Sequence, residues 1–180
     1  MFDQDEYLSQ NDDNQFKEIY ARFGLSIFHF QVLEHQLINM VISFYKLQNL
    51  KMNKDEFNDL FHEFSDKTMG KLIQKVAVHY ELEEEIKTEL WLLHRKRNFF
   101  VHHYFKDMSF GWDTPEQRIE IIKELDNVSD RSQKLDGVLT KMLFDKLKPI
   151  GISETDLDKA RKKMRSGELQ DRVFFREKDS

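Results

Sequence analysis

The residue types best able to do chemistry in this sequence are gathered in one short stretch, Arg97-Asn98-Phe99-Phe100-Val101-His102, with His103 directly after it. An imidazole titrates near neutrality and can move a proton, while the planar fork of a guanidinium grips phosphate oxygens and steadies the charge that develops on them. Together the two suit cleavage of a phosphodiester by the neighbouring ribose hydroxyl, and nothing in that division of labour requires a metal. Asn98 adds an amide that can hydrogen-bond a phosphate or hold an imidazole in one orientation. Arg95, Lys96 and His103 lie on the more polar side of the same segment, placed to follow a nucleic-acid backbone or simply to be solvated.

These residues need a rigid element, and the periodicity predicts one helix from Leu82 to Lys106. At about 100° per residue, Leu93, Phe100, Val101 and Tyr104 form an apolar arc, and Arg97 falls inside it. A buried fixed cation costs several kcal/mol unless it is paired or faces a polar cavity. Arg97 therefore answers either to a core carboxylate such as Glu34 or to a ligand phosphate, and the residues alone leave both open. His94, Asn98 and His102 recur every four positions along the neighbouring edge and can face one cleft. Arg97 and His102 are about 140° apart on an ideal helix, so their heads meet only through the reach of the arginine, a helix distortion or a symmetry-related copy.

Other helices are predicted around this one. Apolar positions from Ile19 to Phe44 sit at helical spacing within a long helix over Asn14–Tyr45. Asn53 with Glu56 reads as a capping pair opening a shorter helix, Ser65 to Lys67 as a polar break, and Thr68 to Tyr80 as the next helix, with Gly70 permitting close packing. Asp107 to Asp113 reads as a loop carrying Trp112, which is placed to stack either in the core or on a base. Thr114-Pro115-Glu116-Gln117 has the cap, first-position proline and third-position glutamine of a helix start, and that helix runs to about Phe144. The bundle is expected over 14–147. Residues 148–180 are expected to hold a short helix capped by Ser153 and Asp156, then a charge-rich, partly ordered tail with one apolar knot at Val173, Phe174 and Phe175.

Composition narrows the classes. With 180 residues there is room for one domain with a real core. Six glycines and two prolines are too few turn formers for a many-stranded β fold, so the expectation is all-α. The absence of cysteine removes disulfides, thiolate nucleophiles and cysteine-based zinc sites. The seven histidines show no His-Glu-x-x-His spacing, so no metal and no cofactor are expected. No basic start with an apolar run and no stretch near ~18 apolar residues is present, which makes the cytoplasm the expected location and argues against a membrane. A net charge of −5 disfavours a protein that coats nucleic acid nonspecifically, yet it allows a local basic site. The 16 phenylalanines fall mostly at helical spacing and suit core packing.

The stretch from Arg97 to His102 resembles the Arg-(four to six residues)-His motif of HEPN domains, in the form with Asn directly after the Arg. Thr68-Met69-Gly70-Lys71-Leu72-Ile73 is similar to a segment found one helix upstream in such domains, and Val32-Leu33-Glu34 resembles the position of an acidic residue in some of them. The resemblance covers roughly Phe16 to Leu143. It implies an up-and-down helical bundle that pairs two-fold, with Arg97 binding phosphate and His102 acting as acid and base. It further implies a metal-independent endoribonuclease that leaves a 2′,3′-cyclic phosphate, of the kind that serves as a toxin or in antiviral defence. RNA, a second copy of the chain and a separately encoded antitoxin or regulator are the partners so implied. The doubled His102-His103 leaves two imidazoles competing for the acid–base role. Some HEPN domains keep the fold without catalysis, so a non-catalytic dimer that binds RNA or scaffolds a defence complex stands as the alternative.

Overall fold

Helices account for all the regular structure seen. The computed structural model describes residues 2–107 and 112–153 together with 155, 156, 159, 162 and 166, and among these no strand occurs. The chain is all-α. Its elements are α1 (Gln4–Leu8), α2 (Asp12–Gln48), α3 (Lys54–Ser65), α4 (Met69–His79), α5 (Glu84–His102), α6 (Tyr104–Asp107) and α7 (Pro115–Leu147), with a 3₁₀ turn at Lys148–Ile150.

Local chemistry sets most of these ends. The Asn11 side chain accepts from the Asn14 N–H at 2.9 Å, and Asp12 and Asp13 in the first turn complement the positive end of α2. Asn53 and Glu56 form a reciprocal capping box at α3. Thr114 and Gln117 do the same before Pro115: the Thr114 N–H donates to Gln117 at 3.1 Å and the Gln117 N–H to the threonine hydroxyl at 3.3 Å. At the other end of α2, the Lys46 ammonium donates to the carbonyls of Leu50 and Met52, holding the chain as it leaves the helix.

Three long helices form the frame, and their contacts fix their directions. Gln15 meets Arg118, Arg22 meets Asp126 and His29 meets Gln133, so α2 and α7 run the same way. Phe23 packs on Phe100 whereas Glu34 meets Arg97, so α5 runs against α2. Glu89 meets Arg131 and Lys96 meets Glu124, so α5 also runs against α7. The core between them is lined by Phe30, Leu33 and Leu37 of α2, Leu72, Ile73 and Val76 of α4, Leu90, Leu93 and Phe100 of α5, and Ile122 and Leu125 of α7, all buried. Burying each of these contributes about 1.5–3 kcal/mol relative to exposure, which makes packing the main support of a chain without disulfides.

The chain divides into two compact units, Met1–Met142 and Leu143–Ser180. The first unit starts earlier than residue 14 because Tyr7 of α1 is fully buried and exchanges hydrogen bonds with Gln15. One tyrosine in a five-residue helix carries too little periodicity to be read in advance. In the second unit the 3₁₀ turn closes on Gly151, whose φ of 79° is a left-handed conformation that favours glycine. There the Ser153 N–H donates to Asp156 at 3.0 Å, the expected cap. The Val173-Phe174-Phe175 knot and most of the tail lie outside the described residues, as do residues 108–111 of the predicted loop.

Candidate active site

Helix α5 carries the Arg97–His102 stretch, with one departure from the uniform helix expected over Leu82–Lys106. The helix ends at His102, His103 leaves helical geometry (φ −130°, ψ −21°), and α6 restarts at Tyr104. No glycine or proline marks this break. It accompanies the docking of Tyr104, 1% exposed, between Phe23 and Phe100 at ring distances of 5.1 and 4.7 Å. Leu93, Phe100 and Tyr104 of the predicted apolar arc are buried, but Val101 is 47% exposed and belongs to the surface. The break places His102 and His103 at the end of α5, both exposed.

Arg97, Asn98, His94, His102 and His103 share one open groove of about 920 Å³. Glu34 of α2 forms another side of it, and the turn from α3 to α4, from Ser65 to Met69, closes a third. Arg97 and His102 thus line the same depression within one chain, although an ideal helix separates them. Lys67, Arg95 and Arg97 outnumber the carboxylates Glu34 and Asp66, so the groove is locally basic in an acidic protein. The start of α4 adds to this: Thr68 makes no side-chain cap and the first turn contains no acidic residue, leaving the positive helix end uncompensated beside the groove.

How Arg97 is held differs from the other described arginines with ion-pair partners. Arg118, with a 5% exposed side chain, is bound by Asp12 at 2.7 Å, Gln15 at 2.8 Å and the Trp112 carbonyl at 2.8 Å, and lies 4.5 Å above the Phe16 ring. Arg131 makes two 2.7 Å bonds to Glu89, and Arg22 is clasped by Glu18 and Asp126. Arg97, 30% exposed at its side chain, reaches Glu34 only at 3.7 Å and Asn98 Oδ1 at 3.3 Å. Much of its donor fork is left to whatever enters the groove. The Asn98 amide nitrogen stands 3.3 Å from His94 Nε2, so the three side chains form a connected row. Burial, and then the neighbouring Arg97 charge, push the His94 pKa below the ordinary 6.5, with Glu34 opposing.

The remaining expected site residues separate. Arg95 is exposed at the groove edge and also borders a second groove of about 610 Å³ with Phe99. Lys96 faces that second groove, bonded to Glu124, and does not line the first. Trp112 stacks on Phe16 at 5.8 Å and contacts Tyr20 and Phe105, away from the residues lining the Arg97 groove. Lys67 and Asp66 were not anticipated, since a turn between two helices gives no periodic signal. His94 lay on the predicted polar edge, but its link to Asn98 and Arg97 depends on rotamers that spacing does not specify. Among the described residues no group of three His, Asp or Glu side chains is placed to hold a metal, and no helix is long and apolar enough to cross a membrane. No family model matches the chain, and no curated protein or solved structure matches it either.

Proposed function

We propose that this chain is a metal-independent endoribonuclease of HEPN type, with the groove around Arg97 as its active site. The observation that carries this reading is the loosely held Arg97, a guanidinium half-withdrawn from water with a single carboxylate at 3.7 Å and two histidines of α5 at the rim of the same groove. A structural arginine in this fold is satisfied as Arg118 is; one left with free donors beside a basic depression suits a phosphate.

In the proposed reaction RNA lies along the groove with a phosphate against Arg97. His102 takes the proton from the ribose 2′-hydroxyl, whose oxygen attacks phosphorus. The P–O5′ bond breaks as the new P–O2′ bond forms, and a proton is returned to the leaving 5′-oxygen. The products are a 2′,3′-cyclic phosphate and a 5′-hydroxyl. Arg97 neutralises the charge gathering on the non-bridging oxygens, and Asn98 fixes the guanidinium and donates to the same phosphate. His103 and Arg95 border the path of the strand, whereas Lys96, paired with Glu124 in the adjoining groove, is left outside it. Glu34 limits the rotamers of Arg97. A two-fold dimer would set two such grooves side by side and supply a second imidazole. Toxicity or defence, restrained by a separately encoded partner, is the setting that this activity suits. The Glu34 pairing itself favours the second reading, an inactive RNA-binding or scaffolding dimer.

The test is incubation of end-labelled RNA with the purified chain in excess EDTA, beside Arg97→Ala, His102→Ala and His103→Ala, with circular dichroism to verify folding. The expected result is cleavage by the wild type and by His103→Ala, with a loss of about 100-fold or more for Arg97→Ala and for His102→Ala. RNA bound but never cut by the wild type would replace the enzyme with the binding dimer.

A further inference from the structure

His94 carries no part of the Arg-to-His motif, yet its place in the row of side chains is directional. Arginine carries donors only. Because Arg97 Nη1 lies 3.3 Å from Asn98 Oδ1, the oxygen end of the Asn98 amide faces the guanidinium. The NH₂ end is thereby turned toward the preceding turn of α5, where Nδ2 lies 3.3 Å from His94 Nε2. An amide nitrogen donates, so Nε2 must accept, and the single ring proton of His94 sits on Nδ1. Reversing the amide would press its NH₂ against the N–H groups of Arg97. The direction of the whole row is therefore set by a residue that does not deprotonate.

We propose that His94 is a positioning residue for the phosphate-gripping pair Arg97 and Asn98, a neutral imidazole that receives the Asn98 amide and so holds Asn98 oxygen-first toward the guanidinium. This rests on the ribonuclease reading of the groove. The ring is well fixed for the task. Trp91 meets it edge-on at 5.4 Å, and α4 lies so close that a side-chain carbon on Gly70 would come 3.5 Å from His94 Cε1. Arg97 has no partner that would hold its plane as the two 2.7 Å bonds of Glu89 hold Arg131, so its orientation depends on Asn98, and that of Asn98 on His94.

Protonation breaks the row, because an imidazolium would offer N–H to N–H across the 3.3 Å gap. The titratable and charged groups that line the groove with the ring are Glu34 from α2, Asp66 and Lys67 from the turn before α4, Arg95, Arg97 and His102 from α5, and His103 just after it, and of these Arg97 and Glu34 act on the His94 charge. Burial and Arg97 keep the imidazole neutral at physiological pH, and Glu34 works the other way. Acidification therefore disorders the phosphate grip through a group that does not itself touch the phosphate.

Two measurements test this. In the isotope-labelled 180-residue chain, two-bond proton–nitrogen correlation spectra report the His94 tautomer and its titration, the signal being assigned by its absence from His94→Gln. The expected result is an Nδ1–H tautomer with a midpoint below 6.5. An Nε2–H tautomer at neutral pH, or a ring already protonated there, would overturn the proposal. Cleavage of an end-labelled oligoribonucleotide in EDTA is then followed between about pH 5 and pH 8. A glutamine in place of His94 can accept the Asn98 amide through its Oε1 and cannot be protonated. His102, which must be neutral to act as base, gives an acid limb of its own, so His94→Gln should retain the neutral-pH rate within about threefold and lose only the extra steepness that His94 adds to that limb, whereas His94→Ala should lose about 10- to 100-fold throughout. Equal rates for the two variants, or an acid limb as steep in His94→Gln as in the wild type, would reduce His94 to packing. If the wild type cleaves nothing at any pH, the ribonuclease reading fails and the positioning role with it, while the tautomer still decides the hydrogen-bonded row.

Discussion

Arg97 and Arg118 are two guanidiniums drawn from water by the same bundle and held in opposite ways. Arg118 is sealed by a carboxylate, an amide, a carbonyl and an aromatic face, and losing it strands the Gln15 side-chain oxygen and the Trp112 carbonyl. Arg118→Ala should therefore cost about 2–3 kcal/mol in urea unfolding. Arg97 has one distant carboxylate and remains partly wet, so Arg97→Ala should cost less than about 1 kcal/mol while removing activity. Similar losses of stability in the two variants would mean that Arg97 is structural. Arg97 was legible because it interrupts an apolar arc, and Glu34 because it is a carboxylate in the first long helix at a position that resembles an acidic residue of some HEPN domains. The sequence did not show Arg118, whose partners Asp12 and Gln15 come from the far end of the chain. Polar satisfaction between distant segments leaves no periodic trace.

Helix boundaries were the most legible elements because their signals are local. The reciprocal caps Asn53–Glu56 and Thr114–Gln117 stand where the residue types announce them. Asn53→Ala should cost about 1 kcal/mol, read as a lower urea midpoint with an unchanged slope. Gly137, inside α7, has nothing within 4 Å of the position a side-chain carbon would take. Gly137→Ala should stabilise the chain by about 0.5–1 kcal/mol, and a loss of stability would show that the site is more crowded than its geometry indicates. The break at His103 was not legible. It follows from how Tyr104 docks among Phe23 and Phe100, a tertiary preference that overrides local helix propensity. His102 closes α5 just before that break and His103 forms it, and both line the groove.

Across the whole molecule, burial sets how the fold responds to acid. His29, His79 and His94 all have pKa values pushed below 6.5, with burial the leading cause in each; the His79 ring lies 3.8 Å from Phe44, its Nε2 buried without a hydrogen-bond partner. For each the unfolded chain binds its proton at higher pH than the folded one. The stability they contribute is present above about 6.5 and is lost as pH falls through the lower folded values. The melting temperature should decline as pH is lowered from about 7 toward 5, and less steeply in His79→Phe. A flat profile would show that these imidazoles are hydrated. Composition established that the chain would be helical, but which histidines lose water is fixed only by packing. The groove joins these scales, since α2, α5 and the turn before α4 must all be in place for Glu34, Arg97 and His102 to line one depression.

The most direct test of that groove as a ribonuclease site is the identity of the product ends. An oligoribonucleotide cleaved in excess EDTA should yield a 2′,3′-cyclic phosphate and a 5′-hydroxyl, and replacing the ribose at the cut position by 2′-deoxyribose should block that cut. A 3′-hydroxyl paired with a 5′-phosphate, or undiminished cutting at the deoxyribose, would contradict attack by the 2′-oxygen and the roles given to Arg97 and His102.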